Sequence, residues 1–89
     1  MRQYKIPGDL LLQSVKDEAV ILDPKSGRYF TLNAVGTRMV QLYRDLADVD
    51  AVVATIVAEY AVDDATVRQD LQQLLEDLSA NGLAEAVDS

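Results

Sequence analysis

In DPKSGRYFTLN, residues 23–33, the chain passes from one periodicity to another. Pro24-Lys25-Ser26-Gly27 reads as a turn, since proline presets φ and glycine is free to take a positive φ. Arg28 to Leu32 (RYFTL) follows as a β-strand, aromatic and β-branched at its centre. Alternation places Phe30 and Leu32 on one face and Tyr29 and Thr31 on the other. Phe30 and Leu32 make the better core pair, because Thr31 and the charged Arg28 then meet water; a one-residue change of register reverses that assignment. Asn33 closes the strand and is a good helix N-cap, its side-chain oxygen able to accept an orphan amide of the first turn.

Upstream, AVILD (Ala19 to Asp23) is a β-branched run that reads as a second strand, and LLLQSV (Leu10 to Val15) as a first. Lys16-Asp17-Glu18 is a polar turn between them. Connections this short make an antiparallel meander in the order 1-2-3 the simplest sheet. MRQYKIPGD, residues 1–9, is polar and broken by Pro7-Gly8, so it is expected to form an irregular N-terminal arm.

Downstream the period becomes 3.6. Val35, Met39, Leu42, Tyr43 and Leu46 form one helical stripe; Val49, Val52, Val53, Ile56, Val57 and Tyr60 form a second behind Asp48. Val67, Leu71, Leu74, Leu75 and Leu78 form a third behind a cap at Asp63 or Asp64. Gly36 costs helix propensity early in the first helix, which points to a close approach there. Asn81-Gly82 ends the third helix, with Leu83 folding back on Leu78, and the closing AEAVDS is expected to fray. The fold class is α+β: a three-stranded antiparallel sheet followed by three helices, in the manner of a winged helix-turn-helix.

Composition excludes more than it offers. The 89 residues include no cysteine and no histidine, which removes disulfides, thiolate chemistry, the commonest general base and most zinc sites. The four serines therefore lack a histidine to activate them. Asp63-Asp64 and Glu76-Asp77 read as a cap and a solvated face rather than metal ligands. Neither Gly27 nor Gly36 lies in a phosphate-binding loop. These residues give no basis for an enzyme, a metal or a cofactor. With no long apolar run and no targeting signal, the expected location is the cytoplasm, away from membranes.

Residues 1–44 hold seven of the eight basic residues and carry +3, whereas residues 45–89 carry −10. A third helix with Asp63, Asp64, Asp70, Glu76 and Asp77 against Arg68 alone repels a phosphate backbone, which weighs against nucleic acid despite the helical order. The third strand lies at the sheet edge, where unpaired amides and carbonyls can template an incoming peptide strand. Arg28 and Thr31 can equally guard that edge against aggregation, and the residues alone leave both readings open.

AVILDPKSGRYFTLNAVGTRMVQLY, followed by VVATIVAEYAVDDATVRQDLQQLLEDLSANGL, resembles the PqqD-like family of recognition elements. These bind leader peptides of ribosomally made, modified natural products (RiPPs). The most specific piece is GRYFTLN, continuing through Gly36, and the resemblance covers residues 10–84, flanked by the arm 1–9 and a tail 85–89. It implies a leader strand added beside the third strand, in a groove floored by the third helix. The backbone of Arg28, Tyr29, Phe30, Thr31 and Leu32 would then pair with the leader. Val67, Leu71, Leu74 and Leu78 would contribute to the floor, with Arg68 and Asp70 as polar rim contacts. The stand-alone length and SGRYFTLN are most similar to lasso-peptide recognition proteins, which implies as partners a precursor leader, a leader peptidase and possibly a cyclase. A peptide chaperone of the pyrroloquinoline-quinone pathway is the near alternative, and a winged-helix nucleic-acid binder the distant one. The acidic second half suits a leader bearing lysine or arginine.

Overall fold

One side-chain oxygen starts each helix. In the computed structural model, which describes residues 3–16 and 18–87, Asn33 Oδ1 accepts from the Gly36 amide at 2.7 Å and opens α1 (Ala34–Leu46). Asp48 accepts from the Asp50 amide at 3.0 Å before α2 (Val49–Tyr60), and Asp63 from the Thr66 amide at 3.1 Å before α3 (Asp64–Ala80). The third cap is thus Asp63, with Asp64 in the first turn, where its charge suits the helix dipole. A Cβ at Gly36 would stand 3.1 Å from the capping oxygen of Asn33, the close approach that glycine permits. α3 ends in a Schellman motif: Leu83 N–H donates to Leu78 C=O at 2.8 Å and Gly82 N–H to Ser79 C=O at 3.1 Å. Gly82 has φ +74°, and Leu83 and Leu78 are both fully buried.

The other two helices end on alanines in the left-handed region, Ala47 at φ 51° and Ala61 at φ 53°. That conformation costs an L-residue about 1–2 kcal/mol, and glycine would relieve most of it while adding unfolded-state entropy. Ala47→Gly is therefore expected to stabilise the fold by about 0.5–1 kcal/mol, read from urea denaturation midpoints.

β2 (Leu11–Val15), β3 (Glu18–Leu22) and β4 (Tyr29–Leu32) form an antiparallel sheet in the order β2-β3-β4. The expected meander is the one observed, with β4 as the predicted third strand. Of the polar turn at residues 16–18, Lys16 takes φ 59°, Glu18 opens β3, and Asp17 lies outside the described residues. The β3–β4 turn is built on Asp23, whose carboxylate accepts from the Lys25 amide at 3.0 Å and the Ser26 hydroxyl at 2.9 Å. Those bonds, the backbone one first, hold the Asp23 carboxyl below the usual carboxylate range. Phe30 and Leu32 face the helices, as the alternation predicted, and Leu12 and Ile21 share that face. Leu11, Leu22 and Tyr29 form a cross-strand row on the outer face, where Tyr29 is 65% exposed.

The termini depart from expectation. Gln3–Lys5 is a strand, β1, and pairs antiparallel with β5 (Glu85–Val87) in the register Gln3↔Val87, Tyr4↔Ala86, Lys5↔Glu85. Tyr4 and Ile6 are buried, and the Tyr43 hydroxyl of α1 donates to the Tyr4 carbonyl. The irregular arm and the frayed tail are thus replaced, over these residues, by a second two-stranded sheet; residues 1–2 and 88–89 lie outside the described residues. Such short strands show no periodicity, and their pairing joins opposite ends of the chain, so nothing local announces it. Within the stripes, Leu46 is 46% exposed rather than buried, while Val40 fills the core beside Val52, Val53, Ile56, Leu71, Leu75 and Leu78. One cluster includes residues from the sheet, all three helices and the N-terminal strand, so the chain has one core.

Candidate functional site

β4 pairs with β3 and has no partner on its other side among the described residues. The register settles which peptide groups face outward. The Asp23 amide donates to the Arg28 carbonyl at 2.9 Å, so Arg28 turns its backbone toward β3. In an antiparallel pair such residues alternate, which turns Phe30 and Leu32 inward as well. The N–H and C=O groups of Tyr29 and Thr31 therefore point to the open edge.

Beside that edge runs a groove of about 540 Å³ between β4 and α3. Phe30, Leu32, Val35 and Met39 form one apolar wall; Ile56, Tyr60, Val62, Val67 and Leu74 form the floor and the far side. Thr31, Asn33, Thr66, Asp70, Gln73 and Asp77 supply the polar lining. Val62 is 41% exposed and Tyr60 40%, so this apolar surface is open to solvent.

The residues expected to form a site divide in three. Phe30, Thr31, Leu32, Val67, Asp70 and Leu74 meet at the groove. Leu71 and Leu78, on the same helix, are 1% and 0% exposed and belong to the core rather than to the groove lining. Arg28, Tyr29 and Arg68 lie apart from the groove lining. The Arg28 guanidinium covers the α3 terminus so closely that a Cβ at Gly82 would sit 2.6 Å from its Nη1. Tyr29 projects from the outer sheet face, leaving only its backbone at the edge. Arg68 bonds Asp50 at 2.6 Å and lies 3.6 Å from Asp64, and this pairing, the Asp50 bond foremost, raises its already high pKa.

Sequence reasoning missed Tyr60, Val62, Thr66, Gln73 and Asp77 as lining residues, along with Asn33, Val35, Gly36 and Met39 around the start of α1 and Ile56 of α2. Val62 carried a readable signal: it follows the helix end at Ala61, outside any stripe, where an apolar residue has no local partner. Tyr60 was legible only as part of the α2 stripe. Outside the groove lining, Arg38 of α1 grips Glu59 of α2 through two hydrogen bonds of 2.9 and 2.7 Å. The bonds draw the Glu59 carboxyl below its ordinary range and push Arg38 further up.

Among the described residues, no cluster of three or more carboxylate, imidazole or thiol groups is placed to hold a metal ion. No described helix is long and apolar enough to cross a membrane.

Two solved structures share this architecture. "TbiB1 in Complex with the TbiA(beta) Leader Peptide" aligns at a TM-score of 0.81 with 35% identity, covering 96% of this chain and 99% of that one. "Lasso peptide synthetase B1 complexed with the leader peptide" aligns at 0.79 with 25% identity, covering 93% and 98%. No curated protein matches the chain. The family profile described as coenzyme PQQ synthesis protein D matches residues 18–84, from the start of β3 through the Schellman turn. With the sheet, the open β4 edge and the three capped helices all inside or beside that span, this chain belongs to the PqqD family.

Proposed function

We propose that this chain binds the leader segment of a ribosomally made precursor peptide, of the lasso-peptide class, as a strand added to the open edge of β4. The carrying observation is the outward-facing peptide groups of Tyr29 and Thr31 beside an apolar groove of about 540 Å³. Main-chain bonds along the edge supply affinity, and alternate leader side chains entering the groove supply selectivity. The two similar structures, each holding a leader peptide, support this reading. The contact residues proposed are the outward-facing backbone of Tyr29 and Thr31, within the edge segment Arg28 to Leu32, and the side chains of Phe30, Leu32, Tyr60, Val62, Val67, Asp70 and Leu74.

In this reading the protein works in the cytoplasm as an adaptor rather than a catalyst. It hands the precursor to a leader peptidase and then a cyclase. The family description favours a second reading, a peptide chaperone in pyrroloquinoline-quinone synthesis, in which the same edge serves a different precursor.

The test is a fluorescence-anisotropy titration with a labelled leader from a short precursor identified by sequencing the genes that flank this chain's own. Saturable binding at about 1 μM or tighter, corresponding to about 8 kcal/mol, is expected. Absence of saturation at concentrations a hundredfold higher, on the order of 100 μM, would refute the proposal. Whether the neighbouring genes encode a lasso cyclase or a radical enzyme separates the two precursor classes.

A further inference from the structure

The rim of the groove has a charge pattern that its apolar floor does not explain. α3 presents Thr66, Asp70, Gln73 and Asp77 along the groove, spaced as one ridge of a helix. No lysine or arginine lines the groove. Of the three arginines on the helices, Arg38 is committed to Glu59 and Arg68 to Asp50 and Asp64, while Arg44 reaches the Gly8 carbonyl, away from the groove lining. Among the described residues, neither Asp70 nor Asp77 has a cation within salt-bridge distance. Asp77 is half-buried and is oriented by a 3.0 Å hydrogen bond from Gln73 Nε2.

Taking the groove as the leader site, we infer that it selects leaders carrying lysine or arginine in the segment that pairs with β4, through Asp70 and Asp77. An apolar floor beneath an acidic lip is the complement of a long basic side chain. The methylene stem lies on Leu74 and Val67 while the charged head reaches the carboxylates. The seven-residue separation of Asp70 and Asp77 spans about 10 Å along the helix. Side chains on one face of a strand recur at about 7 and about 13 Å, for residues two and four apart. Flexible stems bridge that difference, so basic residues two or four apart in the leader fit the pair of carboxylates. An acidic segment meets the −10 charge of residues 45–89 and is repelled.

The experiment uses three peptides: the co-encoded leader, a version with each lysine and arginine of its strand segment changed to glutamine, and one with them changed to glutamate. Each is titrated against the full chain and against Asp70→Asn, Asp77→Asn and double variants, at low and high NaCl. The leader is expected to lose affinity as salt rises, and the glutamine peptide to bind about tenfold more weakly with little salt dependence. Each single variant should weaken the leader about threefold and the double variant about tenfold, with the glutamine peptide unaffected by either change. Asparagine preserves side-chain size, and unchanged circular dichroism confirms that each variant is folded. If the double variant binds the leader like the parent while Thr31→Pro abolishes binding, the charge selection is wrong and the added strand stands. If no peptide binds the parent, both fall together. A strand segment that contains no lysine or arginine, yet binds tightly, also overturns the inference.

Discussion

A Thr31→Pro protein is expected to fold and to bind leader about thirtyfold more weakly than the parent, a loss of about 2 kcal/mol. The asymmetry comes from the register. The Thr31 amide points away from β3, so proline there removes no bond from the β2-β3-β4 ladder. It removes a donor that an incoming strand would use, leaves that strand's carbonyl unpaired, and places a ring where its backbone must approach. Phe30→Pro is the control. The Phe30 amide faces Ile21 across the ladder and its side chain packs on the core, so that protein should unfold or melt far below the parent. Circular dichroism melts paired with anisotropy titrations read both effects. A folded Thr31→Pro protein with parental affinity would remove β4 from the binding surface.

Leu71→Ala and Leu74→Ala should separate stability from binding on one helix. Leu71 is 1% exposed within the cluster that joins α3 to α1, α2 and the sheet. Truncating it leaves a cavity that rigid neighbours cannot fill, at a cost of about 3 kcal/mol. For a domain of this size that lowers the melting temperature by about 12–24 °C, a large share of the stability such a domain has. Leu74, three residues on, is only half-buried and lines the groove. Its truncation should cost less in melting temperature and about tenfold in leader affinity, since it is the leader that would bury its remaining surface. Equal losses of stability with no change in affinity would place Leu74 in the core with Leu71.

These two leucines also mark how far the sequence could be read. The 3.6 period identified the apolar stripe of α3, but a stripe has one signal for two neighbours. Leu71 and Leu78 are buried in the core and Leu74 lines the groove beside β4, and which is which follows from how α3 packs on the rest of the fold. Arg68 shows the same limit. The family resemblance implied that it is a rim contact, yet Asp50, on α2, and Asp64 hold it outside the groove lining. Val62 and Tyr60 entered the groove because α2 ends at the left-handed Ala61, a conformation that no residue preference announces for alanine.

The order of the main sheet, the three helices, their caps at Asn33, at Asp48 and at Asp63 or Asp64, and the Gly82 ending were legible from the residues alone. Each rests on a local rule of periodicity, capping or turn chemistry whose partners lie within a few positions of one another. Local rules also identified β4 as an edge, since a three-strand meander leaves its last strand unpaired on one side. Tertiary structure decided the rest: the closure of β1 on β5, the direction of each edge peptide group, and the division of α3 between core and groove. Those depend on contacts between segments far apart in the chain, where burial of one face against another outweighs what either segment prefers by itself.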